Sequence, residues 1–266
     1  MMLERRAFPG GLAALVSPEM ESAGFLVAFT ERSGGVSRGV FTSLNLGLGS
    51  GDDTEAVVKN RGIVRDALGL QALAFARQVH GSTIAPVGPE RVGAGFSDPG
   101  NAVPDADGMT TASSGVALAV LTADCVPVAL ADPEAGRVAV VHAGWRGVAA
   151  GVVSAALRRF SHPARLLAAI GPAVGEDHYE VGEDVVAAVS TGTEAAVVAR
   201  RDGSIHLDLP GTVAAVIRNH GVRRIERAEE CTACESERFF SYRRDGRSGR
   251  QAVIASRLDR ASGWSG

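Results

Sequence analysis

Lysine is almost missing from this 266-residue chain: it occurs once, at Lys59, among 27 basic residues. That imbalance fits a GC-rich coding bias, so arginine abundance is no binding signature and only arginines inside motifs carry weight. The net charge of −3 gives no general pull toward nucleic acid or an anionic membrane. Aromatic residues, at 5%, are too few for a base-stacking platform. Three cysteines, Cys125, Cys231 and Cys234, do not make a disulfide framework, and a reducing, cytoplasmic setting is expected. The opening MMLERRAFPGGLAAL lacks an apolar run long enough for a signal-peptide core, and no stretch reaches a membrane span. The glycine-rich stretches at 33–35 and 47–51 lack the Gly-Lys-Ser/Thr of a phosphate loop, and no GxGxxG follows a strand.

What is present is ordinary in bulk. Hydrophobic residues at 45% and charged residues at 21% describe a globular chain long enough to bury a sizeable core. No repeat, low-complexity tail or linker interrupts it, so residues 1–266 are expected to form a single α/β domain, a mixed β-sheet core flanked by helices. Strands are predicted at 24–31, 74–80, 116–122, 126–132, 137–142, 166–170, 206–209 and 224–228, with one more closing the chain. Helices are predicted from Asp52 to about Leu68, from Gly147 to Phe160, and over 180–189 and 210–220. Residues 86–106, rich in Gly, Pro, Asp and Ser, read as a long surface loop.

Chemistry concentrates in two segments, Arg77-Gln78-Val79-His80-Gly81 and the run from Leu121 to Val153. Cys125 lies between two apolar runs, and His142 and His80 each end one. Packing alone would favour Val or Leu at such places. Two imidazoles and a thiolate make a ligand set suited to zinc, with one coordination position left open. After His142, Ala143-Gly144-Trp145-Arg146-Gly147 places a guanidinium at a strand-to-helix turn, a setting that favours an anion. The same Cys125 and His142 also suit a nucleophile and its base, which would make the chain a cysteine hydrolase.

The motifs RQVHG, DADGMTT (105–111), TADCVP, VHAGWRG, AIGPAVG (169–175), YEVG (179–182) and FFSYRRDGRSGRQ (239–251) together resemble one bacterial family. It is the laccase-domain or multi-copper polyphenol oxidoreductase family, whose members were later described as purine nucleoside phosphorylases with adenosine deaminase activity. TERSGGVS (30–37), SLNLG (43–47) and GDD…NR (51–61) fit it as well, so the likeness runs nearly the whole chain. The resemblance implies a cysteine-hydrolase-like α/β sandwich and a catalytic zinc held by His80, Cys125 and His142. It implies a purine nucleoside and phosphate as partners, with neither nucleic acid nor membrane. Arg61 and Arg146 are then the candidates for phosphate or a substrate anion, and Asn45 and Gln78 for polar positioning. Members have also been linked to editing of cell-wall peptide precursors, which keeps an amidase reading of Cys125 and His142 open. Copper competes for such ligands by affinity order, but a multi-copper oxidase needs far more histidines than six, of which His162, His178, His206 and His220 are scattered.

Three further features have plain readings. Cys231-Thr232-Ala233-Cys234 has ligand or redox spacing, but no second CxxC or nearby His pair completes a four-ligand set, so it reads as structural or incidental. Arg244, in a basic turn ending Asp245-Gly246, either touches substrate or orders its loop. Asp124, if the backbone is extended, points away from the Cys125 side.

Overall fold

The computed structural model describes residues 2–193, 195–201 and 203–258. Its strands run β1 (Glu4–Ala7), β2 (Ala13–Val16), β3 (Phe25–Thr30), β4 (Leu73–Phe75), β5 (Ile84–Pro86), β6 (Gly108–Thr111) and β7 (Ala117–Thr122). They continue as β8 (Val126–Asp132), β9 (Arg137–Ala143), β10 (Leu167–Ile170), β11 (Val198–Arg201), β12 (Ser204–Leu207), β13 (Arg224–Arg227) and β14 (Gln251–Arg257). The helices are α1 (Pro18–Ser22), α2 (Thr54–Ala67), α3 (Trp145–Ala149), α4 (Val152–Leu157), α5 (Glu183–Thr193), α6 (Leu209–Asn219) and α7 (Tyr242–Asp245).

The mixed core is split between two six-stranded sheets, ordered β1-β2-β3-β14-β7-β4 and β13-β10-β8-β9-β6-β5. Each contains parallel and antiparallel pairs. The strands facing the sheet-to-sheet interface alternate residue by residue. Val27 and Phe29 of β3 point to the shared core with Ala129 and Ala131 of β8, whereas Leu26 and Ala28 point to α2. Val128 and Leu130 of β8 face the opposite way, onto α4 and α6. Because both faces of β8 are covered, its sequence reads as an unbroken apolar run. The result is four layers: helix α2, the first sheet, the second sheet, and a layer containing α3, α4 and α6.

Small residues let these layers close. A Cβ on Gly171 would lie 2.1 Å from the Phe29 ring of the other sheet. The helix expected over 147–160 is two short ones, because Gly151 adopts φ 80° and starts α4 afresh. The strand expected to carry His80 stops at Phe75, and His80 sits in a loop with φ 59°. Strands β1 and β2 near the N-terminus, β5, β6 and β11 were not foreseen; β1, with Glu-Arg-Arg-Ala, is too short and charged to show an apolar period. No helix among the described residues is long and apolar enough to cross a membrane.

Candidate functional site

The site lies where the chain crosses from one sheet to the other. Strand β7 ends at Thr122, and Ala123-Asp124-Cys125 leads directly into β8. The antiparallel register of β8 with β9 pairs Val126 with Ala143 and Pro127 with His142. Extended by one step it sets Cys125 opposite Gly144, with His142 as the diagonal neighbour on the same face. His80 completes the group from the loop after β4. The ligand atoms of His80, Cys125 and His142 all lie within 4.8 Å of one another, and the two imidazole rings meet edge to face at 4.8 Å.

Asp107 joins two of the three segments. Its carboxylate accepts the backbone N–H groups of Val79, His80 and Gly81 at 3.1, 2.9 and 2.7 Å. The same carboxylate bonds His142 Nδ1 at 2.8 Å, while the Asp107 carbonyl accepts the His142 N–H at 2.7 Å. With Nδ1 engaged by a carboxylate, Nε2 of His142 is the nitrogen left for a ligand, the arrangement usual around metal-binding histidines. Asp107 was not singled out from sequence, although it lies inside DADGMTT; a carboxylate placed just before a strand was the available signal.

The electrostatics suit an anionic sulfur. Burial pushes the Cys125 thiol up, but the His142 charge and hydrogen bonds from His142 and His80 bring it down to about 6. Burial likewise acts against charge on His142, yet Cys125 and Asp107 raise it to about 9. Burial raises Asp107, but the His142 bond and the backbone donors outweigh it and hold the carboxyl below its ordinary value. The pair thus favours thiolate on Cys125 with a proton on His142, and binding a metal there releases that proton.

Gly144 supplies the room. A Cβ there would stand 2.9 Å from Cys125 Sγ and 3.2 Å from His80 Cδ2. Its φ of −76° suits any residue, so Gly144→Ala acts by displacing ligands alone. We expect that substitution to weaken metal affinity by about 10- to 100-fold, the scale of disturbed ligand orientation, in competition with a chromophoric chelator. Unchanged affinity would mean that the ligands do not use this space.

The group opens onto a cleft of about 550 Å³ whose walls are largely apolar, with Leu48, Phe75, Pro99, Ala102 and Leu121 among them. That is the size and character of a small-molecule site. The Thr122 hydroxyl, also on the lining, is buried with no hydrogen-bond partner among the described residues. A bound molecule can satisfy it.

The other expected site residues are distributed unevenly. Gln78 lines the cleft but spends its amide on the Leu121 backbone, bonding its N–H and C=O at 2.8 Å each. Arg61 lines the cleft at 2% exposure and gives its N–H groups to the carbonyls of Leu46, Gly95 and Phe96, with the Phe75 ring 3.7 Å away. Burial pushes its pKa down to about 9. Arg146 is exposed, stacked on Trp145 at 4.3 Å and outside the cleft lining. Asn45 is fully buried and ties the loop together: its amide donates to Ser50 and Asp52 and accepts from the N–H groups of Gly47 and Arg250.

That last bond positions a residue not foreseen from sequence. Arg250 lines the cleft and uses Nη1 on Ser248 and Gly249, while Nε and Nη2 bond none of the described residues. Burial lowers its pKa although the charges of Cys125 and Asp124 favour its cationic form. Asp124 is held in a left-handed conformation at φ 85°, not extended, and its carboxylate accepts from Thr232 Oγ1 and the Arg243 N–H at 2.6 Å each. Arg244 donates to the carbonyls of Thr232, Ala233 and Phe239, so it orders its loop.

The sequence model of a family described as multi-copper polyphenol oxidoreductase laccase matches residues 26–257. Among curated proteins, the chain is 43% identical over 230 residues to a purine nucleoside phosphorylase of Streptomyces coelicolor, covering 84% of this chain and 92% of that one. It is 39% identical over 246 residues to a purine nucleoside phosphorylase of Deinococcus radiodurans, covering 90% and 91%. Among solved structures, YlmD from Geobacillus stearothermophilus superposes with a TM-score of 0.87 at 36% identity, over 92% of this chain and 96% of that one. YfiH from Bacillus licheniformis gives 0.86 at 32% identity, over 92% and 96%.

Proposed function

The chain belongs to the multi-copper polyphenol oxidoreductase laccase family, and from that premise we propose that it is a zinc-dependent purine nucleoside phosphorylase. The observation that carries this reading is the placement of the His80, Cys125 and His142 group on the wall of a largely apolar cleft of nucleoside size, beside Arg250. The naming of relatives such as those of Streptomyces and Deinococcus as purine nucleoside phosphorylases supports it.

The residues fit the ion. Two imidazoles and a thiolate converge, the carboxylate of Asp107 orients one imidazole, and Gly144 leaves the space between them. A zinc ion bound there supplies Lewis acidity and a water of lowered pKa, the chemistry that adenosine deamination would draw on. In phosphorolysis, a phosphate oxygen bonds to the anomeric carbon while the carbon–nitrogen bond to the purine breaks. The bonding electrons leave with the base, which takes a proton, and ribose 1-phosphate remains. Apolar walls exclude water from this exchange, which keeps phosphate rather than water as the acceptor. Nε and Nη2 of Arg250, unbonded among the described residues, hold the phosphate, Asn45 and Gly47 set the position of Arg250, and Arg61 shapes the cleft through its carbonyl bonds.

Arg250→Gln should raise KM for phosphate by about 10- to 100-fold, the value of a charge-assisted hydrogen bond, with a smaller effect on KM for nucleoside. Saturation kinetics in each substrate separate the two, and an unchanged phosphate KM would remove Arg250 from that role. The reading itself is tested by chromatographic detection of hypoxanthine from inosine. Release that requires both phosphate and bound metal supports it; absence of release from metal-replete protein overturns it.

A further inference from the structure

The CxxC pair, for which the sequence offers neither a second CxxC nor a nearby His pair, has a single histidine beside it in the fold. His178, distant in sequence, brings Nδ1 to 3.9 Å from Cys231 Sγ and 3.6 Å from Cys234 Sγ. The three ligand atoms all lie within 4.8 Å of one another. They belong to two loops that are already joined: Ala173 and Cys231 form a parallel bridge, and the Thr232 N–H donates to the Ala173 carbonyl at 3.0 Å. A short helical turn at Glu176–His178 presents the imidazole. His206 Nδ1, bonded to the Glu176 carbonyl at 2.8 Å, and Arg201, paired with Glu176 and Asp177, tether that turn from the β11–β12 hairpin.

We propose that His178, Cys231 and Cys234 form a second metal site, for a thiolate-preferring divalent ion such as Zn²⁺, which clamps the 173–178 loop to the 231–234 turn. A tetrahedral ion with bonds of about 2.3 Å to sulfur and about 2.0–2.1 Å to nitrogen separates sulfur from nitrogen by about 3.5–3.6 Å. The two observed separations match that edge to within a few tenths of an ångström. The Gly175 N–H donates to Cys231 Sγ at 3.1 Å, which holds that sulfur facing His178 and Cys234. Gly175 also keeps the approach open, since a Cβ there would already touch the sulfur at 3.4 Å. A disulfide would use the two sulfurs and leave the imidazole without a role. The reversing turn from Cys231 to Glu235, closed by bonds from the Cys234 and Glu235 N–H groups to the Cys231 carbonyl, is also unlike the helix that follows a redox CxxC. His178 and Cys234 are exposed, so solvent can supply the fourth ligand.

The clamp bears on the cleft through one residue. Thr232, between the two cysteines, donates to Asp124, and the Val174 N–H donates to the Asp124 carbonyl at 3.0 Å. Asp124 immediately precedes Cys125, so an ion at the second site fixes the backbone that delivers the first site's thiolate. The inference rests on this cluster alone and stands whether or not the protein is a phosphorylase.

The test is metal content of the full chain, purified under reductant from zinc-supplemented culture and dialysed. Wild type should hold about two ions, Cys125→Ala about one, Cys231→Ser/Cys234→Ser about one, and the triple variant almost none. His178→Asn should match the double variant, which guards against a result caused by misfolding of the cysteine variants, and circular dichroism checks each fold. Cobalt-loaded Cys125→Ala should show thiolate-to-metal charge-transfer absorption that Cys231→Ser/Cys234→Ser/Cys125→Ala lacks. Metal-free Cys125→Ala, retention of its ion after Cys231 and Cys234 are replaced, or a Cys231–Cys234 disulfide in reductant-purified protein would each overturn the proposal.

Discussion

Cys125→Ala is expected to lower kcat/KM for phosphorolysis of inosine by at least about a thousandfold, the scale of several kcal/mol of lost charge stabilisation. The change removes the only sulfur among the His80, Cys125 and His142 ligands and leaves two imidazoles. It also removes the negative charge that helps raise His142 to about 9, leaving Asp107 to offset the burial that opposes charge there. Little else is disturbed. Cys125 is short, stands at the mouth of β8, and faces Gly144, so alanine neither opens a large cavity nor meets a clash. Urea unfolding of chelator-stripped protein should therefore stay within about 1 kcal/mol of wild type, which separates loss of chemistry from loss of fold. A variant that turns over within tenfold of wild type would show that the sulfur takes no part.

A second experiment discriminates the nucleophile reading, for which a thiolate beside a charged imidazole is equally well suited. Chelation should abolish phosphorolysis and added zinc restore it, with a cysteine alkylator blocking restoration. A cysteine amidase would survive chelation and lose activity on a peptide substrate only to the alkylator. The curated relatives are named for phosphorolysis, which favours the first outcome.

The parts of this molecule that were legible in its sequence are those in which local pattern and tertiary role coincide. Strands β8 and β9 are apolar runs closed by a turn at Asp132-Pro133 and Gly136, so their register, and with it the approach of Cys125 to His142, follows from the hairpin itself. His80 was singled out as the end of an apolar run, but the strand expected to carry it stops at Phe75 and a loop with positive φ presents it instead. Arginine roles were not legible. Arg61 and Arg250 both belong to the motifs quoted above and both reach the cleft, yet one meets three backbone carbonyls and the other keeps two nitrogens unbonded among the described residues. Which of these happens depends on where the loops at 46–47 and 95–96 fall in space. His178 was missed for the same reason: its two sulfur neighbours are brought to it by a pairing of loops, Ala173 with Cys231, that no local spacing reveals.

Asp107→Asn carries the other large effect, because one carboxylate serves a loop and a ligand together. Asparagine keeps a single acceptor oxygen, whereas Asp107 accepts three backbone N–H groups and bonds His142 Nδ1 with its two oxygens. The new amide must turn N–H groups toward donors at one end, leaving a pair of donors without acceptors. We expect a loss of about 2–4 kcal/mol in stability at neutral pH, as for removal of hydrogen bonds to a buried charge, and a further 10- to 100-fold fall in metal affinity from the unoriented His142. The pH dependence distinguishes this from generic damage. Asp107 has a folded pKa below its ordinary value of 3.8, so its contribution is fully present above that value and is lost as the pH falls through the lower folded one. Stability of chelator-stripped wild type and Asp107→Asn should therefore differ most at neutral pH and converge only below 3.8, as the wild-type carboxyl takes up its proton. Urea midpoints measured across that range would show a constant gap instead if the substitution harmed packing alone.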